Sequence, residues 1–531
     1  MTLAALLVAA TGLAQDGTRR LTNLKATPLS TSEGHSQTIQ RNPGITLGEV
    51  LQKQNGLAQG QTQQSPTNQA MPWQKRSPLK AALLTDQPEG DYMLMSRSGE
   101  AYAASFFGVF YTTVSGKVAE FVFGDDNKVY MKDIISQFNT GAWIEGTLNG
   151  STITFKLPQP LYEEGGSTYY ATMMKFSNNT YVKDKTSQLL TFTYNKKEGT
   201  ITSANSLADG SRVVGLADED GSWAGYADWN MKMMTVKDIP AEAPEGLETT
   251  YYALTAPEVV GSIAQVGFKD NEVWVKGIYA NLPDAWIHGT IQGGKVKFPS
   301  GQYLGPDLET GYFQYLVSAN KEEIYYEEYD ETYTTYVLNN ADITFDYDPE
   351  TKELSNSSCF LINAGTDEVS YAEAYNEASL KPFVEVAATP KTPVWNEIVE
   401  YGFDYFYNYK YGWGVFDFDV FTEDIDGNYI LPEKLFYCVY TRVNGEEKRY
   451  MFSAYDHIYL SYLTMMEVPF NFTDNWDFDA NGTRRSIYFF NGGAEAYGVQ
   501  AIYYGADEER RSDIAWYDSP GFFTEIQPEN R

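Results

Sequence analysis

The chain repeats itself over a length too great for a short repeat unit. Residues 116–161 read GKVAEFVFGDDNKVYMKDIISQFNTGAWIEGTLNGSTITFKLPQPL, and residues 261–304 read GSIAQVGFKDNEVWVKGIYANLPDAWIHGTIQGGKVKFPSGQYL. With two one-residue gaps, Ala142-Trp143-Ile144 falls on Ala285-Trp286-Ile287, Gly146-Thr147 on Gly289-Thr290, and Gly150 on Gly293. Solenoid units span roughly 20–50 residues, whereas a period of about 145 residues is the size of a domain. The echo extends past its best part. Pro244-Glu245-Gly246 repeats Pro88-Glu89-Gly90, and Ser370-Tyr371-Ala372-Glu373 echoes Gly225-Tyr226-Ala227-Asp228. Two tandem copies of one module are therefore expected.

The pattern inside each copy has period two, which specifies strands. Val118, Glu120 and Val122 alternate with Ala119, Phe121 and Phe123. Asn149-Gly150 then joins two such runs, a strong hairpin signal. The same alternation continues after Pro390 and Pro393, in VFDFDVF (415–421) and in the run from Ala496 to Tyr504. The expected class is all-β. Two β-meander modules, closing as sandwich or barrel, occupy 86–240 and 241–388. An Ig/fibronectin-like β-sandwich follows over 389–531, with its 498–504 strand antiparallel to 512–517.

The first 85 residues read differently. Residues 3–14 form an apolar run ending in small residues, as a signal peptide over 1–14 would. That run is too short to span a bilayer, and no other stretch suggests membrane insertion. Residues 15–85 are polar and weakly patterned, which fits a disordered linker with one short helix over 42–56. Charge narrows the partners. The chain carries 71 Asp+Glu against 39 Lys+Arg, a net charge of −32, and phosphate backbones need a basic face, so nucleic acid is not an expected partner. Cys359 and Cys438 lie in strand-like contexts of different modules and are expected to be buried free thiols.

The motifs Asp426-Gly427-Asn428, Pro432-Glu433-Lys434-Leu435-Phe436-Tyr437 and Gly498-Val499-Gln500-Ala501-Ile502-Tyr503 resemble those of uncharacterised exported multi-β-module proteins of Bacteroidetes-type bacteria, with a fibronectin type III-like C-terminal module. Gln87-Pro88-Glu89-Gly90, Ser96-Arg97-Ser98-Gly99 and the strand pair built on Trp143 resemble the same group. The resemblance implies export to periplasm, cell surface or medium, and β-architecture. It implies no chemistry.

Chemistry-bearing motifs are sparse. Asp477, Asp479 and Asn481, followed by Gly482, match the first half of a calcium loop, but Tyr488 stands where the closing Glu belongs. Calcium is the one metal suggested, and no cofactor is expected. Three histidines exist, His35, His288 and His457, and no nucleophile elbow or zinc motif accompanies them. His288 takes the place of Glu145, so the fold does not require it. Trp143 and Trp286 read as core rather than as ligand platforms. The most unusual segment is EEIYYEEYDETYTTY (322–336), replacing a milder region of the first copy. So many acids are not packed in a core, which predicts a protruding hairpin. Its Tyr325, Tyr326, Tyr329 and Tyr333 are the candidate binding residues.

Duplication, aromatic richness and the lack of a catalytic motif point to a non-catalytic exported binding or display protein, with a glycan or an envelope protein as partner. Two other readings stay open: a scaffolding protein of the envelope, and a carbohydrate-active hydrolase using a carboxylate pair.

Overall fold

Alternating apolar and polar residues make strands wherever they recur, and here they make almost the whole fold. The computed structural model describes residues 83–519, apart from 106–107, 165–166, 258, 327–330, 357, 407–408, 453–464, 474–477 and 491–493. The expected signal peptide, most of the expected linker and the expected 42–56 helix lie outside the described residues. Among the described residues, no helix is long and apolar enough to cross a membrane.

The first module contains β1 (Asp91–Ser105), β2 (Gly108–Phe123), β3 (Lys128–Lys132), β4 (Trp143–Asn149), β5 (Thr152–Lys156), β6 (Gln159–Glu164), β7 (Ser167–Ser177), β8 (Thr180–Lys183), β9 (Leu189–Asn195), β10 (Thr200–Ser203), β11 (Arg212–Ala217) and β12 (Trp223–Met234). Antiparallel pairing runs β1–β2–β3–β4–β5–β9–β10–β12 and returns to β1, closing an eight-stranded barrel. A second sheet, β6–β7–β11, continues into the first half of β12, with β8 beside β7.

The second module follows the same plan with β13 (Thr249–Thr255), β14 (Ser262–Lys269), β15 (Glu272–Lys276), β16 (Trp286–Gln292), β17 (Lys295–Phe298), β18 (Gln302–Asp307), β19 (Tyr312–Tyr326), β20 (Glu331–Leu338), β21 (Ile343–Tyr347), β22 (Leu354–Ser355), β23 (Cys359–Ala364), β24 (Tyr371–Asn376) and β25 (Ser379–Pro382). Its barrel is β13–β14–β15–β16–β17–β21–β22–β25. The outer sheet is β18–β19–β23–β24, with β20 beside β19. The long β12 of the first module is here split into β24 and β25. The tandem reading thus holds strand for strand.

Matching contacts explain which identities the repeat keeps. A Cβ on Gly146 would come within 2.7 Å of the Phe155 ring, and one on Gly289 within 2.8 Å of the Phe298 ring. Those rings meet Phe192 and Phe345 edge-on, at 6.0 and 5.8 Å. Gln159 binds the backbone N–H and C=O of residue 145, and Gln302 does the same at residue 288. The side chain at 145 or 288 is thus free to vary. Gly150 and Gly293 take φ of +62° and +61° at equivalent hairpin turns, where only glycine is unstrained.

Two expectations need correction. Trp143 is 3% exposed because Leu84, just ahead of the expected module start, accepts its N–H and packs on it. Trp286 is only half-buried, since its corresponding bridge comes from the small Ala241. The echo of residues 225–228 in 370–373 is also offset by two. Asp228 precedes Met233, the partner of Arg97, by five residues, and Tyr375 precedes Leu380, the partner of Leu254, by five. Tyr375, not Glu373, therefore stands in the place of Asp228.

The third domain contains β26 (Val394–Phe406), β27 (Tyr409–Asp419), β28 (Leu435–Val443), β29 (Glu446–Arg449), β30 (Val468–Pro469), β31 (Phe478–Asn481), β32 (Arg484–Phe490), β33 (Ala496–Gly505), β34 (Glu508–Arg511) and β35 (Ala515–Asp518). One sheet is β26–β27–β32–β31, and the other is β29–β28–β33–β34 with β30 and β35 at its side. Val499, Ala501 and Tyr503 face the shared core with Phe416, Phe418 and Phe489. As expected, β33 pairs antiparallel with the 512–517 region, Val499 against Ala515. Cys359 and Cys438 are buried free thiols.

Each barrel contacts the next domain through its second strand or the residue just before it. Val118 N–H donates to Gly311 O (2.7 Å), and Tyr312 bridges Lys117. At the equivalent place on the second barrel, Tyr429 donates its hydroxyl to Gly261 O (2.7 Å).

Candidate functional site

The tyrosine-rich segment forms the expected extended hairpin. β19 and β20 pair over eight positions, from Ala319 against Leu338 to Tyr326 against Glu331, whereas β7 and β8 pair over four. Tyr325 is 55% exposed, and Glu322 and Glu323 are exposed beside it. Tyr326 and Tyr333 hold strand positions opposite Glu331 and Ile324. Tyr329 lies outside the described residues. The candidate calcium segment is a strand and turn: Asp479 pairs with Ser486 and Asn481 with Arg484. Asp479 accepts the N–H of Ala480 (2.9 Å), and Asp477 lies outside the described residues. Among the described residues, no group of three or more His, Cys, Asp or Glu is placed to hold a metal. His288 lies 4.2 Å, centroid to centroid, from Trp274, and His457 is outside the described residues.

A concave site lies elsewhere, where the first module meets the second. A cleft of about 410 Å³ is lined by Arg97, Lys117, Val118, Glu120, Lys132, Asp133, Asn139 and Gly141 on one side and by Leu308, Glu309 and Gly311 on the other. Its floor is charged and buried. Arg97, on β1, is 2% exposed, and Lys117, directly opposite on β2, is 4% exposed. Arg97 Nη2 donates to Asp228 Oδ1 (2.8 Å) and to Ile134 O (2.7 Å), and Nη1 donates to Asp133 O (3.2 Å). The other oxygen of Asp228 accepts the N–H of Ser136 (2.9 Å). Lys117 Nζ donates to Ser136 O and to Asn139 Oδ1.

These bonds shape the β3–β4 loop, which forms one wall. Asp133 Oδ1 closes the loop by accepting N–H groups of Thr140 (2.6 Å) and Gly141 (2.8 Å). The opposite wall is organised in the same manner. Asp307, at the end of β18, accepts the N–H groups of Glu309 (2.9 Å) and Thr310 (3.2 Å) and the hydroxyl of Tyr279 (2.5 Å). A buried acid thus preorganises each wall.

Burial dominates the titration of the floor. Loss of hydration, reinforced by Arg97, brings the Lys117 ammonium down from 10.5 to about 8. Loss of hydration also raises the carboxyls of Asp228 and Asp133, against the pull of the neighbouring cations and N–H groups. Glu120 and Lys132, by contrast, form a half-buried ion pair at 2.7 Å.

None of these residues stands out as a motif, because they lie far apart in the chain. A signal existed nonetheless. Lys117 is in phase with Ala119 and Phe121, on the inward side of β2, and Arg97 is in phase with Met95 on β1. A charge at an inward position of an alternating strand requires a reason. The chain matches no family model, and no curated protein matches it.

Proposed function

We propose that the chain is an exported, non-catalytic glycan-binding protein whose glycan sits in the cleft between the repeated modules. The comparison of the two barrels carries this reading. Arg97, Lys117, Asp133 and Asp228 have Leu254, Ser262, Gly277 and Tyr375 at the same register positions of the second barrel. The barrel therefore closes without those four charges. Buried charges are expensive to dehydrate, even when paired. Their presence on one copy, at the cleft and away from the shared core, marks an added role.

The lining fits the ligand class. Volumes of roughly 300–1,000 Å³ are usual for small-molecule sites. Carboxylates, an amide and cations converge here, with Val118 and Leu308 as small apolar patches. Sugar hydroxyls both donate and accept, and each such group can serve them. Export rests on the apolar leader and on the resemblance to exported proteins.

A glycan array probed with the whole mature chain and with Lys117→Ser, the second module's residue, tests the reading. Discrete hits that the variant loses are expected. An array with no hits, or hits indifferent to Lys117→Ser, would refute it.

A further inference from the structure

The loop that walls the cleft also carries Phe138, the residue before Asn139. Consecutive Cα atoms are about 3.8 Å apart, so Phe138 begins where the cleft lining ends. Its ring lies 5.0 Å from Tyr226 and meets Tyr162 edge-on at 5.5 Å, and Tyr162 lies 6.2 Å from Tyr169 at 32°. These rings form a row, and each of them is half-buried rather than sealed in a core. The row belongs to one copy alone. Tyr162 faces Tyr169 after a bulge in β6, and the same bulge in β18 brings Gly305 opposite Gln314. Phe138 N–H donates to Ile135 O as Leu282 N–H does to Tyr279 O. Tyr226 precedes Asp228 by two residues, as Glu373 precedes Tyr375. The second copy thus folds with Leu282, Gly305, Gln314 and Glu373 at these places, and its Gln314 is buried. The shared fold does not require the rings, and they stay open to solvent beside the cleft.

Resting on the glycan reading above, we infer that the ligand is a neutral oligosaccharide, long enough to run from the cleft past Asn139 onto these rings. The faces of a sugar ring carry C–H groups, which suit the electron-rich face of an aromatic ring. Tyrosine hydroxyls donate to and accept from sugar hydroxyls at the same time. Tyr162 and Tyr169, the two most nearly coplanar rings of the row, form the stacking platform. An acidic saccharide chain suits this place poorly. Glu163 and Glu164 are exposed beside Tyr162, and the whole chain carries a charge of −32, so anions are repelled both locally and at a distance. The second module, with glycine and glutamine in place of the two tyrosines, offers no such platform.

The test is calorimetric titration of the full chain with cellohexaose, laminarihexaose, xylohexaose and maltohexaose, each beside its disaccharide, and with hexagalacturonate as the acidic chain. At least one neutral hexamer should bind about tenfold or more tighter than its disaccharide, the order expected for covering an aromatic face. Hexagalacturonate should bind more weakly than that hexamer. Tyr162→Ala with Tyr169→Gln should abolish the preference for length and leave disaccharide affinity unchanged, whereas Tyr162→Phe, which keeps the ring, should retain the preference. Tyr162→Ala alone replaces the double variant if thermal unfolding shows that the latter does not fold. Hexamers that bind no tighter than disaccharides, a length preference that survives loss of the rings, or a preferred hexagalacturonate overturn the inference and leave the glycan reading standing. Absence of binding by every saccharide removes both.

Discussion

Arg97 on β1 and Leu254 on β13 occupy one register position in two copies of one barrel, Arg97 facing Lys117 and Leu254 facing Ser262. The same backbone thus supports a cluster of buried charges at these positions in one copy and uncharged residues in the other. The cluster is internally dependent, because Asp228 relies on Arg97 for one of its oxygens. Arg97→Leu alone is expected to lower the stability of the first module by about 3–5 kcal/mol, the usual result of orphaning a buried charge. Arg97→Leu with Asp228→Tyr copies the second module and should recover most of that loss. Urea unfolding of both variants measures the difference. Equal losses would show that the two residues act independently.

Gly146 and Gly289 make a paired prediction. Alanine at either site would press a methyl group against Phe155 or Phe298 at nearly the same distance. Each change should cost about 1–3 kcal/mol, as overpacking does, and the two costs should agree. The check is thermal unfolding of the two variants. A large loss in one module and none in the other would contradict the structural equivalence of the repeats.

These equivalences show what was legible beforehand. The alternation at residues 118–123 and the Asn149-Gly150 turn identify strands, and the shared Trp143 and Trp286 identify the duplication, because these signals are local or repeated. Barrel closure is not local. It depends on β1 meeting β12 and β5 meeting β9, pairings that no short pattern encodes. The floor of the cleft was hidden for the same reason, since Arg97 and Asp228 are 131 residues apart. The local signals are the inward phase of Lys117 and Arg97 on their strands and the mismatch of Lys117 with Ser262 within the aligned repeat. The hairpin of residues 322–336 drew attention by composition, and composition reports exposure more readily than it reports a concave site.

Lys117 makes stability depend on pH in a particular direction. Its ammonium is brought from 10.5 down to about 8 in the folded chain. Between those values the unfolded lysine holds a proton that the folded one has released, so stability rises with pH. Below about 8 both forms are protonated and the folded state bears the full penalty of a buried charge. Relative to Lys117→Met, the native chain should gain up to about 3 kcal/mol between pH 8 and 10.5. Urea unfolding of both proteins across that range measures the gain. A constant difference would mean that Lys117 stays protonated throughout.

The tyrosine hairpin predicts the opposite behaviour. Tyr325 and its acidic neighbours are exposed. Changing Tyr325, Tyr326 and Tyr329 together to Ser should leave stability within roughly 1–2 kcal/mol, as for surface sites. Under the cleft reading it should also leave glycan affinity intact. Collapse of the module would show that these tyrosines are structural. Loss of binding with stability intact would move the site from the cleft to the hairpin.

Occlusion of the cleft tests the central claim most directly. Leu308 stands on its outer wall, is 57% exposed and takes no part in the buried network. Leu308→Trp should narrow the opening without disturbing the fold. Calorimetric titration with the best glycan from the array, on the native chain and on Leu308→Trp, is the measurement. The account predicts an affinity at least about tenfold weaker in the variant, a loss of about 1.4 kcal/mol, with an unchanged unfolding temperature. Undiminished binding by Leu308→Trp would contradict it.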